Sequence, residues 1–189
     1  MSNMSNIELT PDAQRRARVR EAALDVFARY GFRRTSMADL ATAAGMSRPA
    51  LYLLHPNKAA VFADLAGAML EASFAAAVAA WPPGTPVGQG LAAALLAKDL
   101  GLFRLLAASP HGAEILSEGT ALTMDLHADI EARFRALLIE RLSAAGAGDA
   151  PSLARMVTTA AAGLKHAGGS EADYIADINR LAALVARSA

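Results

Sequence analysis

Apolar residues recur at steps of three and four along nearly the whole chain, and no stretch alternates β-branched with polar residues. This periodicity predicts an all-α protein of about nine helices. Val19, Ala22, Ala23, Val26, Phe27 and Tyr30 place a first helix over about 11–30, opened by Thr10-Pro11 and closed at Gly31. A short second helix starts at Thr35-Ser36, where Ser36 and Asp39 have capping-box spacing, and closes at Ala44-Gly45. A third runs from Ser47 to about Leu54 with Pro49 in its first turn, and Asn57 caps a long fourth that Trp81-Pro82-Pro83-Gly84 stops. Helices are expected over 86–108, with a bend near Gly101, and then over about 111–117, 119–144, 151–167 and 171–188.

Composition narrows the function. The chain has 189 residues, is 54% hydrophobic and lacks cysteine, which excludes disulfide frameworks, thiol catalysis and cysteine metal centres. The polar start MSNMSNIELTPD does not read as a signal peptide, and the apolar runs Ala75–Trp81 and Leu91–Ala97 fall short of the roughly 18 residues of a membrane span. The expectation is a soluble, cytoplasmic protein. Charge is divided unevenly: residues 1–58 carry nine Lys/Arg against five acids, a net +4, and the remainder carries −4. That asymmetry suits a polyanion-binding head on a body that does not share its partner.

The stretch Ser36–Leu54, SMADLATAAGMSRPALYLL, meets the demands of a helix-turn-helix. Ala41 is small where two backbones approach, Gly45 tolerates the turn, and Leu40, Ala44, Met46, Leu51 and Leu54 take the inward positions. The second of the two helices is expected to enter the major groove. Arg48 can donate a bidentate pair to guanine, and Pro49, Ala50 and Leu53 can meet thymine methyls. Thr35, Ser36, Ser47, Tyr52 and Lys58 can hold phosphates through hydroxyls, helix N-terminal N–H groups and charge. Arg33 and Arg34 can reach the backbone or a neighbouring minor groove. A second reading of Tyr52 packs its ring against the first helix, and Arg15 to Arg20 read as a solvated arm.

From Ala22 to Phe62 the chain resembles the DNA-binding domain of the TetR family of bacterial transcriptional regulators. Phe27, Gly31 and Phe32 match the end of that family's first helix, Thr35-Ser36 the start of its second, and Asp39-Leu40-Ala41 and Ala44 to Ser47 its turn; Leu51-Tyr52 and Lys58 also match. Two positions depart from the pattern. Leu53-Leu54-His55 stands where the family carries Tyr or His followed by Phe, and Ala59 replaces an acid after the lysine. His55 is then either a phosphate contact that takes over from Leu54 or a residue filling the space of the missing Phe.

The resemblance implies a head, 1–58, and a ligand-binding and dimerisation body, 59–189. The last two helices would pair with a second subunit through Ala160, Ala161, Leu164, Leu181 and Val185. The middle helices would enclose a pocket, with Phe74, Leu95, Phe103, Leu106, Met124, His127 and Phe134 as candidate wall, suited to a small apolar or amphipathic effector. The expected function is a homodimeric repressor on a pseudo-palindromic operator, released by that effector. The alternatives are an orphan regulator or activator without a small-molecule signal, and a helical interaction protein that has lost DNA binding. No cofactor, metal site or catalytic arrangement is expected: His127 and Glu131 alone are too few for a metal.

Overall fold

A computed structural model describes residues 10–166 and 170–188, which form nine helices and no strands among the described residues. α1 (Pro11–Tyr30) begins where the Thr10 hydroxyl accepts from the Ala13 N–H, and it ends at Gly31, whose φ of +78° favours glycine. α2 (Met37–Ala43) carries the expected capping box. The Asp39 N–H donates to Ser36 Oγ at 3.2 Å and the Ser36 N–H returns the bond to Asp39 Oδ2 at 2.8 Å. α3 (Arg48–Leu54) is capped by Ser47, and α4 (Lys58–Ala80) by Asn57 Oδ1 on the Ala60 N–H.

α5 (Val87–Ala108) continues through Gly101 without a break in the helix. α6 (Gly112–Leu122) is longer than predicted, and the break before α7 (Met124–Ala144) falls at Thr123. Gly119, read as a helix start, instead lies inside α6 against the Phe62 ring, and the Thr123 hydroxyl and N–H both donate to the Gly119 carbonyl and end the helix. α8 (Ala150–His166) starts at an Asp149 side chain bonded to the Ser152 N–H, and α9 (Glu171–Ala186) has a Ser170–Asp173 capping box. By length and composition α4 is apolar enough to cross a membrane, with a mean hydropathy of 1.5. Its apolarity comes largely from alanine, and Val61, Phe62, Leu65 and Ala77 are buried in the protein.

The chain divides into two compact units, one of residues up to Gly67 with Leu106–Thr123, the other of Ala68–Leu105 with Met124 onward. In the first, Phe27, Phe32 and Phe62 meet in an aromatic cluster with ring centroids 5.0 to 5.8 Å apart, and Val19, Leu40 and Leu51 complete the core. In the second, α5, α7, α8 and α9 contribute Leu91, Leu95, Phe134, Leu138, Ala154, Val157, Tyr174 and Ile178 to one core, sealed by Trp81. Gly90 lies against the Trp81 indole, where any Cβ would overlap the ring.

A buried polar knot interrupts this second core. Asp99 accepts from Lys165 Nζ at 2.6 Å and from the Tyr174 hydroxyl at 2.8 Å, while Lys98 lies 3.4 Å away and pairs with Glu131 at 2.7 Å. Burial pushes the Asp99 carboxyl up, but the charges of Lys98 and Lys165 and their hydrogen bonds outweigh it and hold the group below the usual carboxylate range. Burial and the neighbouring Asp99 charge push the Tyr174 phenol well above its ordinary value. A carboxyl depressed in the folded state contributes stability that is complete above its unfolded pKa and is lost as pH falls through the folded one. Asp99→Asn is expected to cost about 2–3 kcal/mol near neutral pH by leaving two lysines under-neutralised. That gap should shrink as pH drops below about 4. Urea denaturation of both proteins at pH 7 and pH 3 measures it, and a gap that stays constant would remove the charge of Asp99 from the account.

Candidate nucleic-acid interface

The turn between α2 and α3 follows from two residues. Gly45 adopts φ +63°, and the Met46 N–H reaches back to the Ala41 carbonyl at 3.0 Å, closing α2 with the left-handed residue that such a cap requires. Ala41 is buried, as a close approach of helices demands, and Leu40, Ala44 and Leu51 are buried beside it. With Leu51 fixed inward, the remaining surface of α3 is set. Arg48, Pro49, Tyr52 and Leu53 face solvent with Ser47 at the cap, and Ala50 is half-buried at the edge. Leu53 is 87% exposed and Tyr52 46%. A seven-residue helix that leaves a guanidinium, a phenol and a leucine outward has a face built for contact rather than for its own core. Tyr52 is thus about half exposed on this face.

A cleft of about 400 Å³ runs beside this face, lined by Met46, Ala50, Leu53 and Leu54 and by Asp12, Arg15 and Arg18 of α1. Arg15 and Arg18, read in the sequence as a solvated arm, thus stand at the edge of the α3 surface. Their helical spacing from Val19 toward the chain start was visible, but nothing in the spacing said which element they would face. Arg34 and Ser36 are exposed on the approach to α2, with Ser36 Oγ engaged in its capping box. Its hydrogen bonds to Asp39 hold that carboxyl below its usual value.

Three residues expected to touch DNA are turned inward. Thr35 is buried and its hydroxyl donates to the Gly31 carbonyl at 2.7 Å, spending on the loop the group expected to hold a phosphate. Lys58 Nζ donates to the carbonyls of Phe32 at 2.7 Å, Thr35 at 2.8 Å and Arg33 at 3.2 Å and lies 4.5 Å from the Phe32 ring centroid, so all three ammonium donors are in use. His55 is buried between Asp64 and Arg16. Its burial agrees with the space-filling reading, although the ring is hydrogen-bonded rather than merely packed. The loop Gly31–Ser36 is further braced by α6: the Arg33 N–H donates to Glu114 Oε1 at 2.7 Å, and Ser109 Oγ donates to the Ala28 carbonyl.

The residues expected to line a pocket take different places. Leu95 and Phe134 are fully buried core residues, with Phe74 packed on the same cluster, and Phe103 stacks on Tyr174 at 6.1 Å. Met124 and His127, both in the first turns of α7, are exposed, and the buried stretch of that helix begins at Ile130. Leu106 is half-buried in the first unit. Of the residues expected at a subunit interface, Ala161 and Val185 are buried in the chain's own core, Leu164 and Leu181 pack against it, and Ala160 is half-buried. Among the described residues, the large apolar side chains that α8 and α9 leave outward are Met156, 58% exposed, and Leu184, 60% exposed. Among the described residues no group of three or more His, Asp or Glu side chains is placed to hold a metal ion.

Removing the Lys58 ammonium leaves three carbonyls without their donor, so Lys58→Met is expected to lower stability by about 1–3 kcal/mol. Thermal or urea unfolding reads this directly, and a variant as stable as the parent would return Lys58 to the list of surface charges.

Comparison with known proteins agrees with this geometry. Residues 19–65 match the model of the bacterial regulatory proteins of the tetR family. Solved structures align along nearly the whole chain. A putative transcriptional regulator from Pseudomonas aeruginosa PAO1 is 21% identical over 95% of this chain and 93% of its own, with a TM-score of 0.64. A TetR transcriptional regulator from Rhodococcus sp. RHA1 is 22% identical over 91% and 94%, with a TM-score of 0.58. The multidrug binding protein EbrR, solved in complex with imidazole, is 20% identical over 88% and 94%, with a TM-score of 0.55. A search of curated proteins found no sequence match. Residues 19–65 therefore match the helix-turn-helix domain of the tetR family of bacterial regulatory proteins, on a chain with the all-α fold of the solved regulators it aligns with.

Proposed function

We propose that this protein is a homodimeric transcriptional repressor that reads a pseudo-palindromic operator with α3 and is released from it by a small apolar or amphipathic effector. The observation that carries the reading is the division of α3, with Leu51 fully buried and Arg48, Tyr52 and Leu53 outward. Arg48 supplies the bidentate donor for a guanine edge, Pro49, Ala50 and Leu53 the apolar surface for thymine methyls, and Ser47, Tyr52, Ser36 and Arg34 the phosphate contacts. Arg15 and Arg18 extend the basic edge along α1.

One short reading helix covers too few bases to be selective, so two heads on one symmetric site are needed. The outward strips of α8 (Met156, Thr159, Gly163) and of α9 (Ala176, Ala183, Leu184) are the candidate pairing surface: Gly163, Ala176 and Ala183 allow close helix approach, and Met156 and Leu184 add apolar area. The head, 1–58, would read DNA and the body, 59–189, would bind the effector. That the effector is a small molecule is supported by EbrR, a multidrug binding protein of the same fold solved with imidazole. The effector acts by binding better to the form whose two heads are wrongly spaced, which draws the population off DNA without touching α3. A protein that works on chromosomal DNA in a bacterium works in the cytoplasm.

Selection of bound sequences from a random duplex pool at one stated salt concentration is the test. It should return a pseudo-palindrome with half-sites about one helical turn apart. Arg48→Ala should relax the preference at one base pair in each half-site, at a cost of about 1–3 kcal/mol. A folded dimer that enriches no sequence would sink the proposal and favour an interaction protein that uses the exposed Leu53 face for a protein partner.

A further inference from the structure

His55 is 2% exposed and occupies the C-cap of α3, directly before Pro56, in an extended conformation that a following proline favours. Its backbone N–H closes α3 on the Leu51 carbonyl at 2.9 Å. Its side chain does something different. Nε2 lies 2.9 Å from Asp64 Oδ2 on α4 and 3.3 Å from Arg16 Nη1 on α1, and Asp64 Oδ1 accepts from Arg20 Nη1 at 3.2 Å. A ring nitrogen presents either a hydrogen or a lone pair, so Nε2 cannot both donate to Asp64 and accept from Arg16. The shorter contact assigns the hydrogen to Nε2, donated to Asp64 Oδ2, while the other carboxylate oxygen accepts from Arg20. Nδ1 is then a bare lone pair, buried and without a partner.

That orphaned nitrogen is the informative feature. A phenylalanine, which the TetR pattern places at this position, would fill the space with no polar atom to desolvate, so packing alone does not account for an imidazole. The ring earns its place through Nε2, which ties the C-cap of α3 to α4 and, through Asp64, to α1. α3 is only seven residues long, and its inner face is anchored by one fully buried residue, Leu51. A second anchor at its far end sets its rotation and pitch, and hence where Arg48 and Leu53 point. We propose that His55 is a positioning residue for base reading, acting through its hydrogen bond to Asp64. The inference rests on the DNA-reading function proposed above.

The test compares the parent, His55→Phe, His55→Gln and Asp64→Ala on the duplex recovered from the random pool and on a scrambled duplex of equal length, at one salt concentration. His55→Phe should fold and melt within about 10 °C of the parent, since it restores the apolar fit. It should bind the scrambled duplex as the parent does yet lose at least about fivefold in preference for the selected duplex. His55→Gln, whose amide N–H can donate to Asp64, should recover most of that preference. Asp64→Ala breaks the same bond from the other side and should reproduce the loss, which keeps the test intact even if His55→Phe does not fold. Long-range nitrogen–proton correlation of the parent's imidazole should show the hydrogen on Nε2. A selective parent whose His55→Phe and Asp64→Ala variants stay within about twofold in preference, or an imidazole with its hydrogen on Nδ1, overturns the inference alone. A parent that selects no sequence overturns the DNA-reading function and this inference with it.

Discussion

The head is assembled around one cation. Lys58, the first residue of α4, brings its ammonium to the carbonyls of Phe32, Arg33 and Thr35 and rests over the Phe32 ring. Those carbonyls belong to the loop between α1 and α2, a segment that has no helix or sheet partner for its backbone acceptors and would otherwise need water. Lysine suits the role because one nitrogen offers three donors in a fan, and an aromatic face beneath it offsets part of the lost hydration. With the loop held, the capping box at Ser36 fixes where α2 begins, and the Gly45 turn fixes where α3 follows.

α3 inherits its orientation from these constraints and has little stability of its own, since seven residues are too few for an isolated helix. Its burial is therefore sharply divided. Leu51 is fully enclosed, His55 is held at the far end by Asp64, and Arg48, Pro49, Tyr52 and Leu53 are released to solvent. The same economy governs the second unit, where an otherwise apolar core of alanine and leucine accepts one charged knot. Asp99, Lys98, Lys165, Glu131 and Tyr174 join four helices through directional bonds that leucine and alanine contacts cannot supply.

Much of the head was legible in the sequence because its rules are local. Thr10 and Ser47 cap, Gly31 and Gly45 turn, Ser36 and Asp39 box, and Leu51 falls on the inner side of any helix that starts at Ser47. The side chains that turn inward share one cause. Thr35, Lys58 and His55 have the chemistry of phosphate contacts, but their partners, Gly31, Phe32 and Asp64, are supplied by folding and lie 4, 26 and 9 residues away. Asp99 and Lys165 are 66 residues apart, and no periodicity announces a pairing at that distance. Likewise Ala161 and Val185 sit on the apolar stripes of their helices, and apolarity alone cannot tell the chain's own core from a surface left for a partner.

The sequence by itself determined that this chain is helical, where nearly every helix starts and stops, and that residues 36–54 form a helix-turn-helix, because hydrophobic period, caps and turn glycines act over one to four residues. Only the tertiary structure decided which polar groups face outward to meet a ligand and which are consumed in holding the fold. That outcome depends on desolvation: a hydroxyl, an imidazole or an ammonium is committed inward when packing brings an unpaired acceptor within reach, and the acceptor's position is a property of the assembled helices rather than of any segment.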